Sequence, residues 1–132
     1  KLGILPKRKM LKTLFSFEKM EVWQDAKKLV GIVYSLTKKF PESETFALTS
    51  QLRRAVISIP SNIAEGNGRQ SGKDQIRFLS IAYGSFLEVY CQFQISESLG
   101  YLEDSDIEMI RPQVEKIAKG LSNLKRYKET TS

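Results

Sequence analysis

The chain contains no histidine. That absence removes the Glu-x-x-His pair of di-iron helical bundles, most zinc sites and the commonest general base. A single cysteine, Cys91, leaves no internal disulfide framework. With no histidine to activate it, a small packing residue is its expected role. No run of eighteen apolar residues occurs, so no membrane-spanning helix is expected. The opening residues lack the unbroken apolar stretch and small-residue cleavage site of a secretory signal, and a cytoplasmic location is the expectation. No segment alternates apolar and polar residues over the length of a strand, and no internal repeat is visible.

What is present fits one α-helical domain. A chain of 132 residues buries roughly two-thirds of its unfolded surface, enough for one hydrophobic core without staples. The net charge is +6, but Lys1, Lys7, Arg8, Lys9 and Lys12 hold most of it near the start. A whole-protein argument from basicity to nucleic acid is therefore weak, and local clusters must carry it. The chain begins with Lys, and its first methionine is Met10. Residues 1–16 read as a basic arm that is disordered or foreign to the native chain, residues 17–128 as a four-helix domain, and residues 129–132 as a tail.

Helical spacing divides the domain into four stretches. The first runs from about Glu21 to Phe40 on a stripe that includes Val22, Ala26, Leu29 and Val33, and Pro41 stops it. The second runs from about Thr45 to Glu65 on Leu48, Leu52, Val56, Ile59 and Ile63. Pro60 lies inside it, and a kinked helix is expected because the apolar spacing continues across the proline; a break into two helices is the alternative. Gly66 and Gly68 are expected to end it in a left-handed cap. The third runs from about Gly72 to Leu99, with Ser71 and Asp74 spaced as a capping box. The fourth runs from about Asp106 to Lys128, with Ser105 and Glu108 as another, and Pro112 is expected to kink or delay it. Short connections favour an antiparallel up-down-up-down bundle.

The third stretch has an unusually wide apolar arc. One stripe contains Ile76, Leu79, Tyr83, Phe86, Leu87, Tyr90 and Phe93. A second, containing Phe78, Ala82, Ser85 and Val89, lies about 100° round the helix. Only Arg77, Ser80, Gly84, Glu88 and Cys91 remain for solvent. A surface helix of a small monomer needs one stripe, so the second either sits in the core or meets another subunit. With Ile57, an apolar residue on an otherwise polar face, it defines a candidate oligomer interface: Ile57, Phe78, Ala82, Ser85 and Val89.

No convergent catalytic or metal set emerges. Glu65 and Glu88 are carboxylates near apolar stretches, and ion pairing with nearby arginines is their expected role. The segment from Gly66 to Gly72 follows a helix and lacks the Gly-Lys-Ser/Thr ending, so it is not a phosphate loop of a nucleotide-binding fold. It does open the third helix, whose free N–H groups and dipole favour anions. Arg69, Lys73 and Arg77 surround this turn, and Arg53 and Arg54 sit on the outer side of the second helix. Brought to one rim, these five would contact phosphates; left apart, they are a solvated, salt-bridged surface.

The stretch Leu52 to Gly66, with its Ser-Ile-Pro-Ser-Asn-Ile-Ala-Glu-Gly block, resembles the signature of four-helix bundle proteins encoded in intervening sequences of bacterial large-subunit ribosomal RNA genes. Gly68-Arg69 with Ser71, the run Phe78 to Ser85 with Glu88, Val22-Trp23, and the turn Leu99-Gly100-Tyr101-Leu102 share the likeness, which covers about residues 17–127. The basic arm and Pro112 depart from it. The chain is also similar to the accessory protein of diversity-generating retroelements, a pentameric bundle that works with a reverse transcriptase and nucleic acid. The resemblance implies a homo-oligomeric ring, usually of five subunits, and its genomic setting suggests association with RNA; with no convergent catalytic or metal set in the sequence, neither enzymatic activity nor a cofactor is expected. A scaffold that docks another protein, such as a polymerase, is the alternative.

Overall fold

Apolar residues recur every three to four positions, and the helices they define stop where that spacing is interrupted. The computed structural model describes residues 12–131. It contains α1 (Glu21–Thr37), α2 (Leu48–Asn67), α3 (Gly72–Ser98) and α4 (Asp104–Thr131). Short 3-10 turns at Ser16–Lys19 and Glu42–Glu44 precede α1 and α2. No strand occurs among the described residues.

Each helix packs against two others. The neighbours are α1 with α2, α2 with α3, α3 with α4, and α4 with α1. Cross-helix contacts give the directions. Arg53, near the start of α2, reaches Thr37 at the end of α1 (2.9 Å). Gln92, near the end of α3, donates to Gln51 near the start of α2 (3.0 Å). Lys39, just after α1, pairs with Asp106 at the start of α4 (2.9 Å). The molecule is therefore an antiparallel up-down-up-down four-helix bundle. Leu29, Ile59, Phe93 and Ile117, one from each helix, are all completely buried. Each such side chain contributes about 1.5–3 kcal/mol of transfer free energy.

The buried Asp25 joins α1 to α4. Its carboxylate lies 3.3 Å from Lys116 Nζ, and its carbonyl accepts from Gln113 Nε2 at 3.0 Å.

Several boundaries differ from the sequence-based expectation. Helix α1 ends at Thr37, and Phe40 enters the core from the following turn. Helix α2 runs unbroken through Pro60, which excludes the two-helix alternative. The expected left-handed cap at Gly66 and Gly68 is absent. Gly68 has φ −90°, and Gly66 is a buried helical residue. A side chain there would place its Cβ 2.8 Å from Phe78 Cβ, so the glycine permits close approach of α2 and α3.

The left-handed cap closes α3 instead. Gly100 has φ 83°. Tyr101 N–H donates to the Ser96 carbonyl (2.9 Å) and Gly100 N–H to the Glu97 carbonyl (3.0 Å), the paired bonds of a Schellman ending. At the other end of α3, Ser71 Oγ accepts from Asp74 N–H at 3.1 Å, as its spacing predicts.

Helix α4 starts at Asp104, earlier than expected, so Pro112 does not delay it. The expected Ser105–Glu108 box is replaced by Asp106, whose carboxylate accepts from Glu103 N–H at 2.9 Å. The same three-residue spacing occurs in both pairs, and the buried Leu102 anchors the earlier start. Pro112 is tolerated inside the helix on its exposed side, where water can satisfy the carbonyl it frees.

Candidate nucleic-acid interface

A basic residue can bind phosphate only if the fold leaves it accessible and sets others beside it. The α2–α3 turn does this for three. Arg69 pairs with Glu65 at 2.7 Å, and Arg77 with Asp74 at 3.2 Å. Both guanidinium groups also lie 4.6 Å from the ring centroid of Phe78. Phe78 is itself nearly buried against Gly66, so it is a fixed platform for the two arginines. Lys73 is exposed between them and makes no ion pair among the described residues. Exposed ion pairs contribute only about 0–1 kcal/mol, so a phosphate can displace Glu65 or Asp74 at little cost.

The antiparallel path of α4 adds more cations to this pole. Lys128 and Leu124 line a narrow crevice with Asn67 and Gln75, and Lys125 lines a groove with Leu79, Ser80 and Tyr83. Asn67 also donates to Ser16 Oγ at 2.8 Å, which brings the turn bearing Lys19 alongside. Lys125 and Lys128 suit the dipole at the end of α4. Their arrival beside Gln75 and Ser80 of α3 is a consequence of topology and cannot be read from spacing.

Arg53 and Arg54 do not join this cluster. They lie roughly 18 Å from the α2–α3 turn along the axis of α2, at about 1.5 Å per residue. The helical step also separates them from each other. Arg53 turns toward α1, where its Nε donates to Thr37 Oγ1 at 2.9 Å and its guanidinium sits 4.5 Å from the Tyr34 ring centroid. Arg54 is exposed on the α3 side, in an open groove of about 520 Å³ lined also by Gln51, Ser58, Ser85 and Glu88. The single rim uniting Arg53 and Arg54 with Arg69, Lys73 and Arg77 is therefore not formed.

The candidate oligomer interface is likewise divided. Phe78, Ala82 and Val89 are enclosed by the chain's own helices and belong to its core. Ser85 is half-buried, with its hydroxyl 2.8 Å from that of Ser58. Ile57 is exposed one turn beyond Arg53, on the α1 side of α2. The wide arc of α3 has a simple cause: the helix packs against both α2 and α4, and each takes one stripe. Leu87, placed in the inner stripe by its spacing, is exposed instead. Cys91 is exposed too, opposite the core, and is not a packing residue.

The opposite pole carries Glu42 and Glu44 from the α1–α2 connection and Glu97, Glu103 and Asp104 around the α3–α4 connection, with Lys38 and Lys39 as the cations at the end of α1. Tyr101 donates to Glu44 at 2.9 Å, which raises the phenol's pKa above its ordinary value. A hydrogen bond and charge from Asp104 push the Glu97 carboxyl upward. The Glu103 N–H, followed by the Lys39 ammonium, holds the Asp106 carboxyl below its ordinary value. The bundle is therefore electrically polarised along its axis.

Glu65 is occupied by Arg69, and Glu88 accepts from Gln92 at 3.3 Å. Among the described residues no group of three or more Cys, Asp or Glu side chains is placed to hold a metal ion. None of the described helices is long and apolar enough to cross a membrane.

The model of the family described as 23S rRNA-intervening sequence protein matches residues 18–123. The chain belongs to this family. The matched region takes in α1, α2, α3 and most of α4. Arg69, Lys73 and Arg77 fall inside it, whereas Lys125 and Lys128 fall beyond its end. No curated protein matches the chain.

Proposed function

We propose that this chain is a non-catalytic, self-assembling protein that associates with RNA through phosphate contacts at its basic pole. The observation that carries the reading is the convergence of cations from two separate segments on that pole. The α2–α3 turn supplies Arg69, Lys73 and Arg77, and the last turns of α4 supply Lys125 and Lys128. The family description, which refers to an intervening sequence of 23S rRNA, supports RNA as the polyanion. Side chains that reach phosphates without a fixed cleft for a base favour affinity over sequence reading. The absence of histidine from the sequence supports a non-catalytic role. Assembly with copies of itself, five by the family resemblance, would multiply the basic poles and strengthen binding to a long polyanion.

Crosslinking in cells, followed by purification and sequencing of bound nucleic acid, tests this reading. Recovery of RNA well above an uncrosslinked control is expected. Recovery at control level would overturn it.

A protein-docking scaffold is the second reading. It is favoured by Phe46, which is 96 % exposed beside the acidic pole, and by Leu99, also exposed there. Capture of one protein partner after nuclease treatment, without RNA in the crosslinked fraction, would favour the scaffold.

A further inference from the structure

Helix α3 carries a second seam on the side turned away from the core. Arg77, Ile81, Gly84, Glu88, Cys91 and Ile95 follow one another at steps of four, three, four, three and four residues. This is the alternation with which a helix presents one side to a partner helix. All six are exposed in the single chain, Ile81 at 41 % and Ile95 at 43 %. Gly84 has no role inside the chain, because an added Cβ would meet nothing within 4 Å. A glycine weakens the middle of a helix, and this one leaves the outer side of α3 open between Ile81 and Glu88.

We infer that this outer seam packs antiparallel, about a two-fold axis, against the same seam of a second copy of the chain. The inference deepens the self-assembly part of the proposed function and rests on it.

Two observations set direction and register. The bundle is polarised, with Arg69 and Lys73 at one end of α3 and the carboxylates of Glu97, Glu103 and Asp104 at the other. Antiparallel packing sets each basic pole beside the acidic pole of the second copy, whereas parallel packing would set like poles together. Within the antiparallel arrangement, one register places Arg77 opposite Glu88 of the second copy. The two-fold axis repeats that pair, and the same register directs Ile81 into the space over Gly84 of the second copy. Sliding by one heptad in either direction faces Arg77 with Ile81 or with Ile95. In the single chain Arg77 pairs with Asp74 at 3.2 Å and lies 4.6 Å from the Phe78 ring centroid, while Glu88 accepts from Gln92 at 3.3 Å and shares a groove with Arg54; forming the new pair exchanges these contacts.

A contact of this kind is isologous and closes on itself as a dimer. It is therefore distinct from the head-to-tail contacts that build a ring.

A charge exchange tests the register. Arg77→Glu and Glu88→Arg each set like charges together at both ends of the seam. Each is expected to weaken self-association about tenfold or more in sedimentation equilibrium at low salt. Both positions are exposed, so circular dichroism should show a folded bundle for each variant. Mixed in equal amounts, the two variants bring opposite charges together at both contacts, and association is expected to return close to that of the unaltered chain. Gly84→Gln fills the open space and is expected to weaken association while leaving the helix content intact.

Variants that associate as tightly as the unaltered chain would overturn the seam and leave self-assembly by another face standing. A mixture no tighter than its separate components would overturn the register. An unaltered chain that stays monomeric throughout would overturn self-assembly itself. RNA recovery is measured separately, so failure of the seam and failure of the RNA reading are distinguishable.

Discussion

Replacing Gly66 with alanine should destabilise the bundle, although alanine is the better helix former. The residue lies in the last turns of α2, buried against α3. A methyl group there would come 2.8 Å from Phe78 Cβ and 3.4 Å from the Gln75 carbonyl oxygen. Neither neighbour is the free end of a flexible side chain, so α2 and α3 must separate by a substantial fraction of an ångström. Overpacking of this type costs about 1–3 kcal/mol. Alanine returns about 0.5–1 kcal/mol through helix propensity. The net loss is therefore centred on about 1 kcal/mol and reaches at most about 2.5 kcal/mol, a central fall in Tm of about 3–5 °C for a domain of this size. Thermal and urea unfolding by circular dichroism at one fixed protein concentration would measure it. Gly31→Ala is the control, since nothing lies within 4 Å of a Cβ at Gly31 and propensity alone should raise stability there. Refutation would be a Gly66→Ala variant as stable as its parent, since the close approach of α2 and α3 would then not require glycine.

Ser71→Ala removes the acceptor for Asp74 N–H at the start of α3 and should cost about 1 kcal/mol, measured as a lower urea midpoint with an unchanged slope. Asp106 links stability to pH. Its folded-state pKa is depressed, so its contribution is present above the ordinary carboxylate range and is lost as pH falls through the depressed value. Asp106→Asn should therefore lower Tm at neutral pH, with the gap from the parent closing under acid conditions; a gap independent of pH would count against the assignment.

The fold was legible because its signals are local and mutually consistent. The stripes through Leu29, Ile59 and Ile117 repeat at helical spacing, and Ser71 caps where its spacing predicts. What failed to show in the sequence depends on neighbours. Gly66 and Gly100 are both glycines near helix ends, and only the approach of Phe78 distinguishes the packing glycine from the capping one. Spacing alone leaves the stripe with Ala82 and Val89 open to the core or to another subunit, and it lies in the core because α3 has two neighbouring helices. The basic site was half legible. Arg69, Lys73 and Arg77 are near one another in the chain as well as in space. Arg53 and Arg54 stand apart from these three because their axial distance depends on the path of α2, and only the return of α4 brings Lys125 and Lys128 across. The outer residues Arg77, Ser80, Gly84, Glu88 and Cys91 face solvent as their spacing predicts, whereas the exposure of Ile81, Leu87 and Ile95 beside them does not follow from spacing.

The proposed link between the basic pole and RNA is tested most directly by the salt dependence of binding. Fluorescence anisotropy with a labelled single-stranded RNA, from 50 to 300 mM salt, would compare the parent with Arg69→Glu/Lys73→Glu. About three phosphate contacts per chain predict a slope of log K against log salt near −2 for the parent, and the double variant should bind weakly with a clearly flatter slope. Binding that is absent at the lowest salt, or a slope unchanged by the double substitution, would contradict the account.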